Sequence, residues 1–118
     1  MRSILLFFAV SIVFHVVATS AQTSHTVALN WTQSSGSGVT GNKVYRSTAS
    51  GSQGSAIYSS TVPVTTYVDH GPLTDGVTYY YCVTALSGIN DESTCSKQVS
   101  AAIPAAPPTP TAISVTVN

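Results

Sequence analysis

Apolar and polar residues alternate in short stretches through most of this chain, and after the first 21 residues they nowhere recur at helical spacing. Residues 26–32, TVALNWT, put Val27, Leu29 and Trp31 on one face and Ala28 and Asn30 on the other, the pattern of a half-buried strand. Residues 43–46 read as a second short strand with Val44 facing inward, and 57–58 and 65–68 as two more. Residues 73–85, LTDGVTYYYCVTA, are a turn followed by a central strand whose alternate residues Tyr79, Tyr81, Val83 and Ala85 fill one buried face. Gly/Ser-rich loops at 34–41 and 47–55 and a polar hairpin at 87–93 separate these elements, and 99–103 read as the last strand. Short strands divided by turn signals predict an all-β sandwich or barrel.

The two ends follow other patterns. Met1 and Arg2 precede an apolar run over 4–17, 14 residues, within the range of a signal-peptide core. Thr19 and Ala21 occupy the −3 and −1 positions of a cleavage site before Gln22, so export and cleavage are expected. The alternative is an uncleaved anchor, because counting through Ala21 brings the stretch to about 18 residues, the lower limit of a membrane span. At the other end, four prolines within 104–110 form a stiff linker, beyond which Ile113, Val115 and Val117 alternate with Ser114 and Thr116. The organisation is therefore a signal peptide over 1–21, a β-domain over 22–104, and a Pro-rich linker and tail strand over 105–118.

Charge narrows the function. Charged residues are 7% of the chain and the net charge is zero, against the roughly 25% charged that is usual. Outside the leader only Lys43, Arg46 and Lys97 are basic, too few for the counterion release that drives nucleic-acid binding. His25, His70, Asp69, Asp75, Asp91 and Glu92 are the candidates for metal or acid–base chemistry, and none has ligand or catalytic spacing. Asp91 and Glu92 beside Asn90 suit solvated loop residues better than a calcium site. Asn30-Trp31-Thr32 fits a glycosylation sequon, but the interior of a strand is a poor acceptor. No enzyme activity, metal or cofactor is expected.

Several landmarks coincide in order and spacing over roughly residues 26–104. They are Trp31 on the first strand after the leader, VTGNKVYRSTASG at 39–51, Tyr67, Leu73 six residues before Tyr79, the run 79–85, and ESTCSKQVSAAIP at 92–104. In these the chain resembles the fibronectin type III family in its bacterial secreted form. The resemblance implies an immunoglobulin-like β-sandwich with a structural core of Trp31, Val44, Tyr67, Leu73, Tyr79, Tyr81 and Val83. It also implies a tyrosine corner, in which the Tyr79 phenol ties its strand to the preceding loop. Two departures stand out. Asn42 lies where the family buries a tyrosine, leaving a core gap or a polar group in need of a partner. Only residues 22–25 lie between the leader and the strand that matches the family's second, so the first strand is missing or is replaced by the C-terminal tail.

On this frame Cys82 and Cys95, the only cysteines, fall on neighbouring antiparallel strands. A disulfide is the natural reading in an exported chain, and closing a loop of about 14 residues contributes on the order of 3 kcal/mol. Parity opposes it, for Cys82 faces outward while Cys95 shares the parity of Val99, taken as inward. The sulfurs meet only if a β-bulge between Cys95 and Val99 switches that parity, and otherwise two thiols remain. Tyr45 and Tyr80 have outward parity on adjacent strands, with Tyr58 on the next, and together suggest a tyrosine patch suited to protein or carbohydrate contacts. Cross-strand pairing within the sheet is the plainer alternative.

The sequence thus predicts a secreted (extracellular or periplasmic) non-catalytic binding or adhesion module, with no nucleic-acid partner and no membrane contact after signal cleavage. The alternative is a passive spacer subunit that assembles through strand exchange, self-associating through residues 111–117. Docking of the tail on its own chain is strained: residues 104–110 in polyproline form cover only ~22 Å, whereas returning along a strand of eight residues takes ~26 Å.

Overall fold

The computed structural model describes residues 24–88 and 90–118, so the expected leader and its cleavage site lie outside the described residues. Among the described residues there are seven strands and no helix: β1 (Val27–Asn30), β2 (Gly41–Ser47), β3 (Ser55–Ser59), β4 (Thr66–Asp69), β5 (Thr78–Ser87), β6 (Asp91–Glu92) and β7 (Val99–Ala102). They make two antiparallel sheets. One is the pair β1–β4, and the other runs β3–β2–β5 with β6 and β7 sharing the far side of β5.

The alternation read from the sequence decides which faces meet. Val44, Leu73, Tyr79 and Tyr81 are buried together with Leu29 and Ile103, while Trp31, Tyr67 and Val83 are partly buried against them. The tyrosine corner is present, with the Thr74 N–H donating to the Tyr79 phenol oxygen at 2.9 Å.

Asn42 leaves no gap. It is 1% exposed, and its amide uses its full hydrogen-bonding capacity. Nδ2 donates to Gln33 Oε1 at 3.0 Å and to the Thr84 carbonyl at 3.1 Å, while Oδ1 accepts from Gln33 Nε2 at 2.9 Å and from the Val64 N–H at 3.1 Å. A buried polar group so satisfied costs little and fixes the 33–42 loop against the domain.

The tail does not replace a strand of its own chain. Residues 105–118 pair with no described strand, and Ile113, Val115 and Val117 are 98%, 88% and 89% exposed. The chain leaves β7 beside the turn that also receives the start of β1. Gly76 N–H donates to the carbonyls of Ile103 and Pro104, and His25, just before β1, places Nε2 3.1 Å from Asp75 Oδ1.

Candidate functional site

The outward face of the large sheet carries the polar and aromatic side chains expected of it. Lys43 and Tyr45 alternate with the inward Val44, and Tyr80 and Cys82 alternate with Tyr79 and Tyr81. Tyr45 sits opposite Cys82 and Ser47 opposite Tyr80, so the two tyrosines are diagonal neighbours on one face, flanked by Ser100 of β7. Tyr58 does not join them. Ala56 lies opposite Tyr45, and plain alternation would carry Tyr58 outward as well. A register shift between Val44 and Tyr45 leaves Ile57 as the extra residue and turns Tyr58 inward opposite Val44. There its ring stacks on Tyr67 with centroids 4.4 Å apart.

Glu92, which the sequence placed in a solvated loop, organises this face. Its carboxylate accepts the Tyr45 phenol O–H and the Thr84 hydroxyl, the latter at 2.7 Å, and lies 3.6 Å from Lys43 Nζ. The Tyr45 and Thr84 hydrogen bonds hold the Glu92 carboxyl below its ordinary range, and the same contact raises the Tyr45 phenol. The only sequence signal for this was that β6 continues the outward parity of β5.

Cys82 and Cys95 are bonded, with Cα atoms 5.6 Å apart. The parity conflict is resolved by excess length. Between the pairs Leu86↔Glu92 and Tyr81↔Val99, β5 advances five residues while the outer chain advances seven. Through this bulged stretch serines complete the ladder, their N–H groups donating to the carbonyls of Ala85 and Val83 at 2.9 Å and their hydroxyls taking the return bonds. Ser93 Oγ accepts the Ala85 N–H at 2.9 Å and Ser96 Oγ the Val83 N–H at 3.0 Å.

The titratable residues are dispersed. Asp69 accepts from Arg46 Nη1 (2.8 and 3.1 Å to its two oxygens), from the Gly71 N–H (2.8 Å) and from the Tyr81 hydroxyl (2.9 Å). Burial opposes its charge, yet these donors outweigh burial and hold the carboxyl below its ordinary value. Burial and the Asp69 carboxylate push the Tyr81 phenol well up. His25 is engaged with Asp75, and His70 and Asp91 are exposed. No group of three or more His, Cys, Asp or Glu among the described residues is arranged to hold a metal.

A second feature lies where the sheets face each other beyond β1. Two adjoining hollows of about 320 and 260 Å³ share Trp31, Thr32, Val83 and Ser96 and form one groove between β1 and the β6–β7 side of the large sheet. Trp31 lines both, and its indole N–H is buried without an acceptor.

The crystal structure of a Fn3-like protein from Clostridium thermocellum is similar to this chain, with 30% identity, a TM-score of 0.57, and coverage of 70% of this chain and 80% of that one. No family model and no curated protein matches the chain.

Proposed function

The chain belongs to the fibronectin type III-like family, and from that premise we propose a secreted, non-catalytic module that binds an extracellular carbohydrate through the outward face of its large sheet. The fold alone does not select a role, since sandwiches of this kind serve many. The observation that carries the reading is the pairing of Tyr45 and Tyr80 on one face, framed by Lys43, Glu92, Ser47 and Ser100. Aromatic rings among hydroxyls and a single ion pair suit the apolar faces and hydroxyl edges of a sugar. The Cys82–Cys95 bond fits an oxidising compartment, and no described helix is long and apolar enough to cross a membrane. The non-catalytic reading is supported by Asp69, Glu92 and His25 each being engaged by a neighbour.

Retention on insoluble polysaccharides and a glycan screen test the proposal. The double substitution Tyr45→Ser, Tyr80→Ser is expected to weaken retention roughly tenfold or more, on the scale of losing two ring contacts, with the far-ultraviolet spectrum unchanged. Equal retention, or capture of protein partners alone, overturns it. The uncovered groove beside β1 favours a second reading, a subunit that assembles through its tail.

A further inference from the structure

The backbone of β1 is satisfied on one side only. Trp31 N–H donates to the Thr65 carbonyl at 2.9 Å, in register with the pairs Leu29↔Tyr67 and Val27↔Asp69. By the alternation of an antiparallel ladder, the N–H and C=O groups of Ala28 and Asn30 therefore point away from β4, and no described strand lies there. An edge of this kind is a template for a further strand. The groove beyond it is equally unfinished. Val99 sits opposite Tyr81 on the inward face of the large sheet, yet it is 55% exposed. It lines the groove together with Leu29, Trp31 and Tyr81, where one more strand is needed to cover it.

We propose that this edge receives residues 111–117 of a second copy of the chain, which add to β1 as an antiparallel strand and lay Ile113, Val115 and Val117 into the groove. The occupant fits by pattern. Its three apolar residues alternate with Ser114 and Thr116, which would remain on the solvent side. In their own chain the three side chains are almost wholly exposed, so they have gained no burial. The exit point sets the partner. The chain leaves at Ile103 and Pro104 beside Gly76, next to the turn where β1 begins. An antiparallel strand on β1 has to begin at the opposite end of β1. The tail would first turn back, retrace the four residues of β1, about 13 Å, and turn again, two reversals within seven residues that four prolines hold stiff and extended. A neighbouring copy, free to position itself, presents β1 without that constraint. Trp31 supplies the reporter, being the single tryptophan of the chain and lining the groove floor with an indole N–H that lacks an acceptor.

The test uses the chain as expected after cleavage, residues 22–118, which contains every described strand and the whole tail. Sedimentation from about 10 μM to about 1 mM is expected to show concentration-dependent association. Val115→Asp, at a position 88% exposed in the isolated chain, is expected to weaken association roughly tenfold or more, because it places a carboxylate in the groove. The Val115→Asp chain keeps its receiving edge. An added peptide of residues 108–118 should therefore bind it and shift Trp31 emission, whereas the same peptide carrying Val115→Asp should not. A wild-type chain that stays monomeric throughout overturns the proposal. So does a Val115→Asp chain that associates as wild type does, or a wild-type peptide that leaves Trp31 unchanged.

Discussion

Asp69 joins the two sheets chemically, since it belongs to β4 while its donors Arg46 and Tyr81 belong to β2 and β5. Its folded pKa is lowered, so its contribution to stability is complete above the unfolded value of about 3.9 and is lost as pH falls through the lower folded value. Tyr81 acts at the other end. Its folded pKa is raised, so its contribution is complete below the unfolded value of about 10 and is lost as pH rises toward the folded one. Stability measured by urea unfolding should accordingly be level from about pH 5 to 9 and fall on both sides. Asp69→Asn should lower stability at pH 7 by about 2 kcal/mol and remove much of the acid slope, as expected for losing hydrogen bonds to a charged acceptor. An acid slope unchanged by the substitution would mean that other carboxylates set it. Asn42 shows what single residues disclose in sequence. Its need for partners was legible from its core position, but Gln33, the residue that answers it, lies nine residues earlier beside a Gly/Ser loop and carries no signal until the fold brings the amides together.

The element most dependent on covalent support is the bulged stretch between β6 and β7. Two serines, each bonded to β5 through both its N–H and its hydroxyl, and the Cys82–Cys95 bond hold it where the regular ladder is interrupted. Reducing the disulfide removes a loop constraint of about 3 kcal/mol from the unfolded chain, and a Cys82→Ala, Cys95→Ala variant should lose a similar amount, read as a lower urea midpoint with a somewhat steeper slope, since the unfolded chain expands without its crosslink. A loss below about 1 kcal/mol would show that the hydrogen bonds of Ser93 and Ser96 secure the stretch without the disulfide. Strand existence and inward or outward facing were legible wherever alternation ran unbroken, as in β1, β5 and the inward Val44 of β2. Facing failed at bulges. An extra residue at Ile57 turned Tyr58 inward, and two extra residues between Glu92 and Val99 let Cys95 reach an outward partner. Alternation contains no term for a bulge, so both outcomes required the three-dimensional register.

At the scale of the whole molecule, the domain and its tail are separable within one chain, because the core lies between Leu29 and Ile103 and the tail covers none of it. Deleting residues 105–118 should therefore leave the melting temperature of a dilute sample unchanged. Strand donation between copies adds a concentration term, because a partner that binds only the folded state stabilises it by RT ln(1 + [L]/Kd). Raising the free partner concentration to 100 times Kd amounts to about 2.7 kcal/mol. For a domain of this size each kcal/mol moves the melting temperature by about 4–8 °C, so the intact chain should gain on the order of 10 °C between dilute and concentrated samples. The chain lacking 105–118 should gain nothing. Calorimetry at several concentrations reads both curves. If the truncated chain already melts lower when dilute, the tail docks on its own domain. If neither curve depends on concentration, the edge of β1 stays uncovered.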